Sequence, residues 1–188
     1  MRKTIIIIHE IYGITENLKK LSKELEAKGY RVVLPSLFLD NYSGDNEEYS
    51  YKKYFAEVGF DNSIGKIDKI IEKNGADSIV LIGFSIGATL AWMKSNDLRI
   101  KGVIGFYGSR IRNNLLINPL IPTKLYFCNE ATFEVDTLIE KLRIKNNLEL
   151  TKIKGDHGFY SKLLFNHNMI QETNKIIFND LDKIYINI

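Results

Sequence analysis

The sequence predicts an α/β fold, a mostly parallel sheet with helices on both faces, and three observations carry that expectation. Apolar runs of strand length recur along the chain, amphipathic helical stretches separate most of them, and the runs are continuous in isoleucine and valine instead of alternating with polar residues. Strands that are apolar on both sides are buried on both sides, the condition of a parallel sheet joined by crossover helices.

The first run, Thr4 to His9, holds four consecutive isoleucines and reads as a strand. Arg2 and Lys3 before it give a superficial likeness to a signal peptide, but the apolar stretch is too short and His9-Glu10 ends it. A helix is expected from about Asn17 to Lys28, where Leu18, Leu21 and Leu25 recur at spacings of three and four and Gly29 closes the pattern. Further strands are expected at Tyr30 to Leu34, Ser78 to Ile82, Lys101 to Tyr107, Lys124 to Cys128 and Leu148 to Ile153. Helices are expected over about Ala56 to Asn74, directly after Ser85, and over about Val135 to Asn146 and Asn168 to Lys183. The stretch Asp40 to Lys53, rich in Asn, Ser, Gly, Tyr and acids, breaks the alternation and reads as a long surface loop, either a plain connection or a flap over a pocket. Right-handed crossovers make six strands in the order 2-1-3-4-5-6 the simplest solution, with the topological switch between the first and third.

At 188 residues, 45% of them hydrophobic, the chain has the material for one domain spanning residues 1–188. Its net charge of +3 comes from 26 basic and 23 acidic residues, a balance that argues against a nucleic-acid partner. The longest apolar runs, Ile5 to Ile8 and Ile79 to Ile82, fall far short of the ~20 residues that cross a bilayer, so no membrane partner is expected. A single cysteine, Cys128, excludes an intrachain disulfide, fits a reducing cytoplasm and reads as core filler.

The chemistry concentrates where strand, turn and helix meet. Ser78 to Ile82 lead into Gly83-Phe84-Ser85-Ile86-Gly87, and a helical stretch follows. This is the order of a nucleophile elbow, in which small residues two before and two after the serine let a strained turn push its hydroxyl out of the sheet. Ligands of open parallel sheets bind at the carboxyl ends of the strands beside the switch. Those ends are the elbow and the loop His9-Glu10-Ile11-Tyr12-Gly13. The backbone amides of Ile11 and Ile86 are therefore candidates for an oxyanion hole, where one donor can be worth ~3 kcal/mol of transition-state stabilisation.

A serine hydroxyl needs a base, and the chain offers three histidines, His9, His157 and His167. The chain order serine, acid, histidine favours His157, in the loop Gly155-Asp156-His157-Gly158-Phe159 beyond the last strand. His9 then shapes the oxyanion loop, His167 is a surface residue or cap, and Asp156 belongs to the loop. The acid that holds the imidazole is expected after the fifth strand. Glu130, two residues beyond Cys128, is favoured there, with Asp136 and Glu134 behind it and a water-linked or absent acid as the remaining alternatives.

Together these residues resemble the dienelactone hydrolase family of α/β-hydrolases over most of the chain. The resemblance rests on His9-Glu10-Ile11-Tyr12-Gly13, similar to the family's Q/H-E-I/W-F/W-G, and on Pro35-Ser36-Leu37-Phe38 and Gly83-Phe84-Ser85-Ile86-Gly87. Phe106-Tyr107-Gly108 and His157-Gly158-Phe159 complete it in the right order. It implies the short form of the α/β-hydrolase fold and a cofactor-free hydrolase with a nucleophile, histidine and aspartate triad. It also implies a glutamate near the nucleophile, which would be Glu10, in a pocket that Tyr12 and Tyr107 help to line; Tyr107 reads equally as a buried aromatic. No cofactor-binding or metal-binding residue is assigned.

Three departures from the family pattern stand out. Dienelactone hydrolases carry cysteine at the elbow, where this chain has Ser85, which favours a general esterase over a specialised lactonase. The family's aspartate position, aligned through Phe133, falls on Ala131. The family's substrate-binding arginine, four residues after the histidine, is replaced by Ser161, with Lys162 beside it as a substitute. Arg110 and Arg112 read either as solvated surface or as attractors of an anionic substrate. The expected activity is cleavage of a small ester, thioester or lactone through a Ser85 acyl-enzyme, by a monomer or homodimer. The alternatives are a ligand-binding homologue that has lost the triad acid, and acyl transfer to an acceptor other than water.

Overall fold

The isoleucine run forms the core of β1 (Lys3–Ile8), followed by α1 (Glu16–Ala27), β2 (Arg31–Val33), α2 (Glu47–Glu57), α3 (Gly59–Lys73), β3 (Ser78–Phe84) and α4 (Ile86–Met93). The chain continues with β4 (Gly102–Phe106), a short 3-10 helix (Ser109–Asn113), β5 (Thr123–Asn129), α5 (Val135–Leu142), β6 (Leu148–Asp156) and α6 (His167–Ile186). This is a computed structural model, and it describes residues 1–161 and 167–186. Among these, the strands form one six-stranded sheet in the order β2-β1-β3-β4-β5-β6, as the sequence predicts. Every neighbouring pair is parallel.

Burial explains the order. The side chains of β1 alternate between two cores: Ile5 and Ile7 pack with Leu18, Leu21 and Leu25 of α1 and Ile177 and Leu181 of α6. Ile6 and Ile8 face the other way, onto Tyr54 of α2, Ile67 and Ile71 of α3, and Leu90 and Ala91 of α4. Both sides of β1 and β3 are thus sealed, and burying each such aliphatic side chain contributes roughly 1.5–3 kcal/mol. The edge strand β6 alternates between half-buried and exposed positions over most of its length, which is why its sequence, LELTKIKGD, is more polar. Among the described residues no helix is long and apolar enough to cross a membrane.

Two sequence expectations need correction. The stretch Asp40 to Lys53 is a loop only in its first half, because α2 starts at Glu47, capped by the Asn46 side chain accepting from the Tyr49 amide at 2.8 Å. The helix expected from Ala56 begins at Gly59, after a break at Val58 (φ −121°, ψ −71°) and a positive φ of 69° at Gly59. In addition, β6 runs on to Asp156, which pairs with Asn129 beyond a register shift.

The segment containing α2 is tied down on both sides. Ser43 bridges Gly13, and the Gly44 amide donates to the Tyr12 carbonyl at 3.0 Å, both in the loop after β1. Arg110, in the 3-10 helix after β4, donates to the Tyr51 hydroxyl at 2.5 Å and lies over the Phe55 ring. The segment therefore spans from the loop after β1 to the segment after β4, the two strands that flank β3.

Candidate active site

Ser85 sits between β3 and α4 at φ 52° and ψ −113°, a strained conformation for a residue with a side chain. Its surroundings hold it there. Its amide donates to the Phe106 carbonyl at 2.9 Å, and its carbonyl accepts from the Thr89 amide at 3.1 Å. The flanking glycines are obligatory: a Cβ at Gly83 would lie 2.2 Å from the Gly87 carbonyl oxygen, and one at Gly87 would lie 2.1 Å from that of Ile8. The second contact also means that the start of α4 lies directly against the end of β1.

The Ser85 Oγ is 2.7 Å from Nε2 of His157, and Nδ1 of the same ring is 2.5 Å from Oε1 of Glu130. A carboxylate can only accept, so Nδ1 carries the proton, Nε2 presents its lone pair, and the serine hydroxyl donates to it. The carboxylate is nearly enclosed, at 7% side-chain exposure, whereas the imidazole is 30% exposed and opens outward. Of the alternatives for the acid, Asp136 pairs with Lys152 at 2.8 Å on the surface, and Glu134 precedes α5 in an exposed position. Ala131 is exposed, and Asp156 is an exposed end of β6. His167 opens α6, where its ring contacts Gln171 at 3.0 Å.

Behind this line lies a buried polar cluster. Glu10, 1% exposed, accepts from the Tyr107 hydroxyl at 3.1 Å and from the Ser161 hydroxyl. The Tyr107 ring meets that of His157 edge-on, with centroids 5.1 Å apart. Burial, followed by the charge and hydrogen bond of Glu10, pushes the Tyr107 phenol well above its usual range, so it remains a donor. Tyr12 is buried in the loop after β1, its phenol raised by burial and then by the Glu47 carboxylate. Ser161 stands where the resemblance puts an arginine, and its role as a partner of Glu10 carries no sequence signal. Lys162 lies outside the described residues.

The amides assigned to an oxyanion hole come from Ile86, the first residue of α4, and Ile11. The Ile86 amide has no carbonyl partner within its own helix and lies at the positive end of the helix dipole. Ile11 follows Glu10, whose carbonyl accepts from the Gly13 amide at 3.1 Å and from Nδ1 of His9 at 2.6 Å. Arg112 stacks over Phe133 in the loop after β5, 4.6 Å from the ring centre. Both arginines considered as substrate attractors are thus in contact with aromatic rings. Among the described residues no group of His, Cys, Asp and Glu side chains could hold a metal ion.

A strained serine between a buried parallel strand and a helix, with a histidine delivered from beyond the last strand, is the architecture of the α/β hydrolases. The chain belongs to the dienelactone hydrolase family, whose model matches residues 1–159, and so falls among hydrolases of esters and lactones. It is 35% identical over 182 residues to the uncharacterized protein YczH of Bacillus subtilis, a match covering 93% of this chain and 90% of that one. A Salmonella typhi relative, named "Putative carboxymethylenebutenolidase", is 21% identical over 132 residues, 64% of this chain and 48% of that protein. The chain thus spans about half the length of that relative. The crystal structure of a predicted CIB-like hydrolase from Thermoplasma acidophilum superposes with a TM-score of 0.62 at 18% identity, over 95% of this chain and 87% of that one.

Proposed function

We propose that the protein hydrolyses a small carboxylic ester, thioester or lactone through a Ser85 acyl-enzyme. The observation that carries this reading is the continuous line from Ser85 Oγ to His157 Nε2 and from His157 Nδ1 to Glu130 Oε1, at 2.7 and 2.5 Å. His157 accepts the serine proton as Oγ attacks the acyl carbon, and Glu130 stabilises the imidazolium that forms. The carbonyl oxygen becomes an oxyanion facing the amides of Ile11 and Ile86, which donate to it without reorganising. His157 next protonates the leaving oxygen or sulfur, and in the second half-reaction it takes a proton from water to release the acid.

The substrate class follows from what surrounds the line. The Tyr107 ring stands edge-on against that of His157, and Ser161, engaged with Glu10, stands where a carboxylate-binding arginine would be. That supports a neutral acyl group over an anionic lactone. The contact between Glu130 and His157 supports hydrolysis over the alternative drawn from Ala131, a ligand-binding homologue without a triad acid. The protein acts on small molecules as a monomer or homodimer in the cytoplasm, with no nucleic-acid or membrane partner; its near-balanced charge and single buried cysteine support this.

A fluorophosphonate probe tests the proposal. The expected result is covalent labelling of Ser85, lost in folded Ser85→Ala, together with hydrolysis of p-nitrophenyl acetate that the same variant abolishes. Folded wild-type protein that neither reacts with the probe nor releases p-nitrophenol would refute it.

A further inference from the structure

His9 lies at the end of β1, fully buried, and its hydrogen bonds go to backbone groups outside the line from Ser85 through His157 to Glu130. Its ring nevertheless joins two loops at the switch point. Nε2 is 2.8 Å from the Leu37 amide in the loop after β2, and Nδ1 is 2.6 Å from the Glu10 carbonyl oxygen. A backbone amide can only donate, so Nε2 must be the lone-pair nitrogen. The proton therefore sits on Nδ1, and the ring donates to Glu10. Stacking on Phe38, with planes 6° apart and centroids at 5.8 Å, fixes the ring's tilt. Burial pushes the imidazole down to about 4, which keeps this single neutral tautomer in place at neutral pH.

The consequence passes through one peptide bond. The Glu10 carbonyl and the Ile11 N–H belong to the same planar trans peptide, so they point in opposite directions and turn together. Holding the carbonyl aims the amide. A carbonyl that already accepts from His9 and Gly13 is also polarised, which makes its N–H a stronger donor. We propose that His9 is a positioning residue that aims the Ile11 amide at the reacting carbonyl oxygen and holds the oxyanion loop against the loop after β2. This rests on the reading that Ile11 is an oxyanion donor.

The chemistry of the ring selects the test. Glutamine carries one donor and one acceptor on a single planar terminus and can serve both Glu10 and Leu37, whereas leucine can serve neither. Steady-state hydrolysis of p-nitrophenyl acetate and inhibition by an aryl trifluoromethyl ketone, which forms a charged hemiketal with a serine, are measured for wild type, His9→Leu and His9→Gln. In His9→Leu, kcat should fall about tenfold to a hundredfold with KM within about threefold, because a misaimed donor is lost to the transition state and not to the bound substrate. Ketone affinity should fall by a similar factor, and His9→Gln should recover most of both. Folded His9→Leu with wild-type kcat and ketone affinity overturns the proposal, as does a His9→Gln variant no better than His9→Leu.

If His9→Leu does not fold, His9→Gln and nitrogen-15 NMR of the wild-type imidazole decide. A proton on Nδ1 with near-wild-type activity in His9→Gln supports the proposal, and a proton on Nε2 overturns it. Wild-type protein labelled at Ser85 and active, beside an unimpaired His9→Leu, removes the role of His9 alone. Wild-type protein that is neither labelled nor active removes the proposed function and, with it, the positioning of an oxyanion donor.

Discussion

Two histidines stand at the same end of the sheet, and their surroundings differ in every respect that matters to chemistry. His9, at the end of the interior strand β1, is fully enclosed, hydrogen-bonds to backbone groups and stacks on the Phe38 ring. His157, beyond the edge strand β6, is 30% exposed and lies between a hydroxyl and a carboxylate. Enclosure makes a ring a fixed strut, because charging it would bury a cation and break a hydrogen bond. In the proposed mechanism the other ring, partly exposed with a carboxylate behind it, accepts the serine proton and passes it on. In that proposed mechanism the loop after β1 is a scaffold, and the loops after β5 and β6 carry the moving proton.

The contrast is broken most severely by removing the carboxylate that supports His157. In Glu130→Gln the amide can donate to Nδ1 and so favours the wrong tautomer, with the proton on the nitrogen that must accept from Ser85. The expected loss is about 10³–10⁴-fold in kcat with little change in KM, by analogy with the loss of tautomer control in other triads. Thermal unfolding should hardly move, since the fold's cores lie elsewhere. A loss of only a few-fold would show that His157 is oriented without Glu130.

The sequence makes the scaffold more legible than the contacts between its loops. The isoleucine run of β1 and the apolar run of β3 identify two interior strands, and crossover handedness then orders the sheet. Ser85 is legible because its turn requires glycine on both sides. Glu130 is visible from its place just past a strand end, although alignment through Phe133 points to Ala131 instead. By contrast, α2 is hidden because its apolar residues do not keep to one face: Tyr54 is buried while Tyr49, Tyr51 and Phe55 are exposed. Its signal is the Asn46 cap with Glu47 and Glu48 in the first turn, which a reading based on apolar periodicity passes over. The bond between Ser161 and Glu10 joins positions 151 residues apart and involves residue types that are common everywhere, so no local pattern announces it.

The sealed state of His9 also predicts a dependence of stability on pH. Burial is the largest cause lowering the ring to about 4, the positive charge of Lys66 lowers it further, and the hydrogen bond to the Glu10 carbonyl opposes both. An unfolded chain binds this proton near 6.5, so between about 6.5 and 4 the unfolded state holds more protons and stability rises with pH. The contribution is complete above 6.5 and is lost as pH falls toward 4, up to about 3 kcal/mol. Urea unfolding at pH 7 and pH 4.5 should show a steeper loss for wild type than for His9→Gln. Equal losses in the two proteins would mean that the ring can be charged inside the fold.

The smallest effect belongs to the position where the family pattern puts its acid. Ala131 is exposed, next to a Glu130 side chain that turns inward to His157. A carboxylate placed at 131 would be directed to water, where its attraction for a partly exposed imidazole is weakened by solvent and salt. Ala131→Asp should therefore change kcat by less than about twofold, and it should not restore activity when added to Glu130→Gln. The double variant makes the comparison sharp. Recovery of more than about tenfold over Glu130→Gln alone would show that an acid at 131 can turn inward to His157, and that the support of the exposed histidine comes from a loop able to offer either residue.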